Sequence, residues 1–495
     1  MKSDSLIYRS AFIVFFGYMF SRVLGYLYRL VIAREGIELY GLYNLALIIV
    51  QFFVPLVLLG FGTGLMYFIG HYQGRKQEQK KDNAVTNALI IVGFFSIFLF
   101  LFLFFNTYRI EDFFDKPGLA YFLKYFSWIL PISALSGIFI SVLRANNRVL
   151  SLVIITSIVQ SIFELLSVYL LFQMGYKNLG LILSVLLPNI LSLLLIAYYS
   201  KRDFILKFNN LDRDLLKYSL TFFPSALILT FIPLIDTLML GYFSSSTDVG
   251  LYNSALPTSQ IVLVFSAALL TVFLSLISRK KSAGENIKPE HDLVSRGILF
   301  LTIPFLFISL FFSQRIITIL FGGNYLLAAN SFVLLTIAYF IYGLSLPAYN
   351  ILLLLKKQRL IFIITLLSFI INIIFNLVLI PLSLDLFGIA STGVALSKLL
   401  SFLFLGISII YCAHKFENLS LFHGDNGKII FASVLSLFVV YVFRKIIGST
   451  SIEMFLIYLL IYFLFYIFIL SHINFFTKQD KDFAKGLLSF KSVNI

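Results

Sequence analysis

The sequence predicts an all-α polytopic membrane protein, and three observations carry that expectation. Of the 495 residues, 60% are hydrophobic and only 12% charged, with a mean hydropathy of +0.97; soluble domains carry about 25% charged residues. Apolar runs of roughly 20 residues, the length that crosses a bilayer as a helix, recur from end to end. The Lys and Arg residues alternate between rich and poor connecting segments, as expected of a chain threaded repeatedly through a membrane. The single cysteine, Cys412, excludes an internal disulfide framework and a cysteine-based metal cluster.

Hydropathy and loop breaks together place about fourteen spans, near 8–33, 41–69, 84–105, 120–143, 149–173, 179–199, 218–243, 249–278, 297–320, 328–355, 360–381, 388–413, 428–447 and 452–473. With the amino terminus in the cytoplasm, the outer segments hold only Arg34, Arg109, Lys116, Lys177, Arg315, Arg444 and Lys445. Arg22, Arg29, Lys124 and Lys398 fall inside spans, and every other Lys and Arg falls on the cytoplasmic side. This bias predicts an even span count with both termini cytoplasmic, in an inner cell membrane. The basic balance is therefore topological, and no nucleic-acid partner is expected. The first span is too long for a signal-peptide core and is expected to remain in the mature chain.

A repeat organises the spans. "GLYNLA" at 41–46 recurs as "GLYNSA" at 250–255, an offset of 209, each opening a span after a short outer loop. A weaker echo pairs Gly180 with Gly388, and the basic turn "RANNR" at 144–148 stands opposite "LKKQR" at 355–359. Because six spans are an even number, the two copies are expected to be parallel, related by an axis along the membrane normal. The expected organisation is a six-helix lobe at 1–200, a second at 214–413, two additional helices at 428–473 and a cytoplasmic tail at 474–495.

The first span contains "FSRVLGYLYRLVIARE" at 20–35, which places two guanidiniums in an apolar helix. Seven residues turn a helix through about 700°, so Arg22 and Arg29 share one face to within about 20°, roughly 10 Å apart along the axis. Tyr18, Gly25 and Tyr26 lie on or beside that face. An arginine at mid-bilayer costs at least about 2.5 kcal/mol, so the stripe is expected to face protein or a hydrated cavity rather than lipid. Guanidinium is permanently charged and matches phosphate oxygens with two parallel hydrogen bonds, which suits an anionic phosphate cargo. Two readings stand: Arg22 and Arg29 bind an anion, with Tyr18 and Tyr26, or Arg22 pairs with a buried acid while Arg29 reaches for the outer interface.

Other ionisable residues fall within spans. Asp236 follows Pro224 and Pro233 in the seventh span and is a gate or counter-ion, or else a polar residue bonding neighbouring helices. Glu164 and Lys398 are central in the fifth and twelfth spans, where each demands a buried partner or takes part in an ion relay. The run "GFGTG" at 60–64 lacks the strand and the Lys-Ser/Thr of a nucleotide loop, and is read as a close-packing or bending site in the second span. The histidines are scattered at span ends, so no metal site or other cofactor is expected.

"SRVLGYLYRLVIAREG" at 21–36, "LYGLYNLAL" at 39–47 and "IDTLMLGYFSSSTDVGLYNSA" at 235–255 resemble the multidrug/oligosaccharidyl-lipid/polysaccharide exporter superfamily, and within it the polysaccharide-biosynthesis flippases. The opening helix is similar to that of the lipid II flippase branch, whose second arginine follows the first at six residues rather than seven. The resemblance implies two helical lobes around a central cavity and flipping of a polyprenyl-diphosphate-linked oligosaccharide. It further implies a membrane-lipid setting, a coupling ion, and glycan polymerase or transferase machinery as partners. Two other classes compete. A drug antiporter of the same superfamily wants acids in its first span, and none is there; a membrane glycosyltransferase or polymerase wants paired carboxylates or a large outer loop, and the longest here, near 106–119, is short. A transporter, not an enzyme, is expected. With no ATP-binding motif, its energy would come from an ion gradient, the membrane potential or the substrate gradient.

Overall fold

The computed structural model describes residues 2–282, 285–417, 426–448, 451–473 and 475. The regular structure among them is helical. In chain order the helices are α1 (Lys2–Ala33), α2 (Ile37–Leu58), α3 (Phe61–Gly74), α4 (Glu78–Phe105), α5 (Thr107–Phe114), α6 (Leu119–Phe126), α7 (Ile129–Ala145), α8 (Val149–Val153) and α9 (Gln160–Gln173). They continue as α10 (Asn178–Ser200), α11 (Arg213–Phe243), α12 (Ser246–Ser259), α13 (Ile261–Ser282), α14 (Lys288–Phe321), α15 (Ala328–Leu354), α16 (Gln358–Phe387), α17 (Ala390–Glu417), α18 (Asn426–Ile447) and α19 (Ile452–His472).

Eleven spans among the described residues are long and apolar enough to cross a membrane, from Ile37–Gly74 to Ile452–His472. The other three predicted spans are helical as α1, α11, and α12 with α13. The predicted tail beyond residue 473 lies outside the described residues, Phe475 excepted.

The described residues form two compact units, Met1–Asn253 and Ser254–Ile495. The packing boundary thus falls after Asn253, past the connector at 201–212 where the sequence repeat begins its second copy. In the first unit the long second span is two helices, because Leu59 and Gly60 adopt left-handed backbone (φ 47° and 79°) after Pro55. A Cβ on Gly60 would lie 2.3 Å from the Ser219 carbonyl oxygen, and one on Gly64 would lie 2.3 Å from the Ser219 hydroxyl. The "GFGTG" run is therefore both a bend and the surface on which α11 docks, consistent with the small residues that let membrane helices approach closely.

The repeat has a reciprocal geometry. A Cβ on Gly41 would meet the Ser246 carbonyl oxygen at 1.8 Å, and one on Gly250 would meet the Ile37 carbonyl oxygen at 2.3 Å. Residues 37 and 246, like 41 and 250, are separated by the repeat offset of 209. Asn44 donates to the Tyr40 carbonyl at 2.7 Å, and its repeat equivalent Asn253 donates to Val249 at 2.9 Å. A local two-fold therefore relates the first turns of α2 and α12, with backbone touching backbone where the glycines stand. The Tyr40 hydroxyl donates to the Asn253 carbonyl at 3.1 Å and closes the seam.

The second unit is organised around Phe273, Ile298, Ile351 and Ile409, all fully buried, from α13, α14, α15 and α17. The hairpin of α18 and α19 packs on α14: Tyr458, Tyr462 and Tyr466, one turn apart on α19, face Ile308 and Phe312 or the neighbouring Leu299 and Ile303. The Tyr466 hydroxyl donates to the Phe300 carbonyl at 2.9 Å, and that of Tyr462 bonds Ser433. Such polar contacts between membrane helices average about 0.6 kcal/mol each.

Candidate functional site

Two adjoining sides of α1 differ in character. One side is welded to the first unit. A Cβ on Gly17 would sit 2.6 Å from Val153, the Ser21 and Ser161 hydroxyls bond at 2.7 Å, and Tyr28 bonds Ser184 at 2.9 Å and receives the Tyr43 hydroxyl at 3.2 Å. Ile32 is fully buried on the same side.

The adjoining side carries the predicted stripe. Arg22 and Arg29 are both exposed, Tyr18 is 44% exposed and Tyr26 is half-buried. A Cβ on Gly25 would meet nothing within 4 Å. The helical spacing therefore places a cationic and aromatic stripe about a quarter-turn from the bonded side of α1, while Phe16, Phe20, Val23 and Leu27 are exposed farther round the helix. Arg22 makes no ion pair among the described residues, so its charge is available. That disfavours the reading in which Arg22 pairs with a buried acid.

Glu164 stands on α9, one turn beyond a π-helical segment at Ile154–Val159 that interrupts the predicted fifth span. Gln160 donates to its carboxylate at 2.9 Å and also reaches Asn189 of α10 at 3.5 Å. Glu164 thus has an amide donor one turn away on its own helix. π-helical turns widen a helix locally and recur at functional sites; periodicity alone gave no sign of this one, because a single extra residue per turn leaves an apolar run apolar. Gln160→Leu is expected to lower the amount of folded protein by leaving the Glu164 carboxylate without its amide donor, and Glu164→Gln in the same chain is expected to restore it in part, read by size-exclusion profiles of membrane extracts. An unchanged Gln160→Leu profile would show that the bond contributes nothing to folding.

Asp236, by contrast, is 2% exposed and accepts the Tyr252 hydroxyl at 3.0 Å. Its neighbour Thr237 accepts from Asn253 at 3.4 Å. By its packing on α2 and α3, α11 belongs with the unit that holds α1, and Asp236 lies in the polar seam of α11 and α12. Lys398, in the second unit, is 4% exposed, with its ammonium 5.2 Å from the centre of the Phe402 ring. On the adjoining α16, Asn372 and Asn376 are buried. These amides were not singled out in the sequence, where isolated asparagines in apolar runs carry no spacing signal.

Residues 36–330 match the family model described as "Polysaccharide biosynthesis protein". A probable low-salt glycan biosynthesis flippase of Haloferax volcanii, Agl15, is 28% identical over 254 residues, 48% of this chain and 50% of that protein; the chain thus spans about half the length of this curated relative. Among solved structures, the lipid II flippase MurJ in an inward closed conformation superposes with a TM-score of 0.77 at 20% identity, over 93% of this chain and 98% of that one. An inward-facing multidrug resistance transporter of the MATE family gives 0.61 at 14% identity, over 80% and 96%. The chain therefore has the fold of this transporter superfamily, and, with the family model spanning more than half its length, it belongs to the polysaccharide biosynthesis protein family.

Proposed function

We propose that this protein translocates a polyprenyl-diphosphate-linked oligosaccharide across the cytoplasmic membrane by alternating access, for the assembly of a cell-surface glycan, and that it is not an enzyme. The observation that supports this most is the exposed stripe of Arg22 and Arg29, set about a quarter-turn from the side of α1 that is bonded into the protein. A mid-membrane guanidinium needs solvation, and a hydrated path that receives a diphosphate supplies it while selecting the cargo. Arg22 forks the diphosphate, Arg29 assists, and Tyr18 and Tyr26 offer ring faces to the first sugars or to the lipid chain. Asp236 is a gate or counter-ion in the α11–α12 seam, and Glu164 and Lys398 serve as members of buried pairs or of an ion relay. The lobes of the transport cycle follow the sequence repeat, 1–200 and 214–413.

The flippase names carried by the Haloferax relative and by MurJ favour this reading, and the drug-transporter neighbours share only the fold. A cation exporter would need acids where α1 presents arginines. Cells lacking the gene are expected to accumulate a lipid-linked glycan on the cytoplasmic leaflet; wild-type glycan distribution together with hypersensitivity to cationic drugs would favour the antiporter instead. Both ends of the chain are expected in the cytoplasm, with the turn around Lys80. Reporter fusions placing Lys80 outside the cell would overturn the threading.

A further inference from the structure

The connector between α10 and α11, residues 201–212, has no regular structure, yet side chains of the first unit hold its backbone. The Asn83 side-chain carbonyl accepts from the N–H groups of Asn209 at 2.9 Å and Asn210 at 3.4 Å. The amides of Asn83 and Asn87 donate to the Asn210 carbonyl at 3.0 and 2.9 Å, and the Thr86 hydroxyl accepts from the Lys207 N–H at 3.0 Å. Asp212 accepts the Tyr72 hydroxyl at 2.9 Å and caps α11 by accepting from the Leu215 N–H at 3.0 Å. Asp203 pairs with Arg148 at 3.0 Å, and Phe204 stacks on Phe139. Both carboxylates of the connector, and its one inward ring, are thus engaged.

What remains facing outward is apolar and cationic. Ile205 is 72% exposed, Leu206 69%, Phe208 57% and Leu211 47%. Lys201, Arg202 and Lys207 alternate with them and are exposed too. A free segment of this composition would bury its apolar groups against the protein; here the clamp of Asn83, Thr86 and Asn87 keeps them out. The segment begins at the end of α10, a helix long and apolar enough to cross a membrane, which places it where hydrocarbon gives way to water. Just before it, Tyr198 and Tyr199 are exposed on the last turn of α10, with the Lys201 ammonium 4.1 Å from the Tyr198 ring centre, the amphipathic pairing found at headgroup level.

We propose that residues 201–211 form a clamped strap that seats on a leaflet of anionic phospholipid. Ile205, Leu206, Phe208 and Leu211 enter the headgroup–acyl boundary, and Lys201, Arg202 and Lys207 hold anionic headgroups. Apolar insertion and cation–headgroup attraction are the two components that fix interfacial segments, the second contributing about a fivefold preference per cation near the surface. This inference does not depend on the transported substrate.

The test uses the full chain with Cys412→Ser and Leu206→Cys, labelled with a fluorophore and reconstituted in phosphatidylcholine–phosphatidylglycerol vesicles. Brominated phosphatidylglycerol is expected to quench the label at least about fivefold more effectively than brominated phosphatidylcholine at the same mole fraction. In a Lys201→Gln, Arg202→Gln, Lys207→Gln background the preference should fall toward unity while quenching by both lipids persists. Equal quenching by the two lipids without the substitutions would overturn the headgroup assignment. A label reached by aqueous iodide and by neither brominated lipid would overturn the strap altogether and leave the surface to a soluble, acidic protein partner.

Discussion

Arg22→Ala is expected to slow glycan-lipid flipping by at least about tenfold while leaving the amount of protein in the membrane unchanged. The two halves of that expectation have separate causes. A charge-assisted hydrogen bond contributes about 1.5–3 kcal/mol, so loss of a guanidinium that forks a diphosphate costs one to two orders of magnitude in the step that depends on it. Abundance is preserved because Arg22 lies on the exposed face of α1 and makes no ion pair among the described residues, so no acid is orphaned. Arg22→Lys should be intermediate, keeping the charge but not the planar fork. Flipping at the wild-type rate by Arg22→Ala at normal abundance would remove the binding role of the stripe. A fall in abundance rescued by a second-site loss of an acid would instead make Arg22 structural.

Gly41→Val is expected to abolish the folded protein, and Gly250→Val to do the same. Even the first carbon of a side chain at 41 would lie 1.8 Å from a backbone oxygen of residue 246, and one at 250 would lie 2.3 Å from that of residue 37. Backbone cannot rotate away as a side-chain tip can, so the first turns of α2 and α12 would have to separate. Overpacking costs about 1–3 kcal/mol when neighbours yield and more when they do not, and marginal stability leaves little to absorb it. Gly70→Ala is the matched control, since a Cβ there meets nothing within 4 Å. Thermal size-exclusion profiles in detergent would read the difference; a monodisperse Gly41→Val with wild-type stability would show that the two helices do not touch as described.

The arginine stripe and the repeat were legible in the sequence for a shared reason: both depend on spacing along one chain. Arg22 and Arg29 share a face because seven residues nearly complete two turns, whatever α1 packs against. "GLYN" recurs because the same backbone approach is needed twice, although which backbones meet was visible only once Gly41 lay against residue 246. "GFGTG" was readable as a bend or packing site and proved to be both.

Other features depend on partners far away in sequence and left no trace in it. Nothing about Asn83 and Asn87 marks them as a clamp for a connector more than 120 residues later. The π-helical turn before Glu164 is hidden in a uniformly apolar run. The docking of α11 on α3 depends on Ser219 fitting against Gly60 and Gly64, which spacing along one chain does not show.

Translocation itself is tested most directly in vesicles. With the purified chain reconstituted and a short polyprenyl-diphosphate-linked oligosaccharide placed in the inner leaflet, the fraction of glycan open to an added, membrane-impermeant glycosidase should rise with time. It should rise at least about tenfold more slowly with Arg22→Ala, and not at all in protein-free vesicles. Glycan that stays protected in vesicles holding folded wild-type protein, under an imposed ion gradient of either direction, would contradict the account.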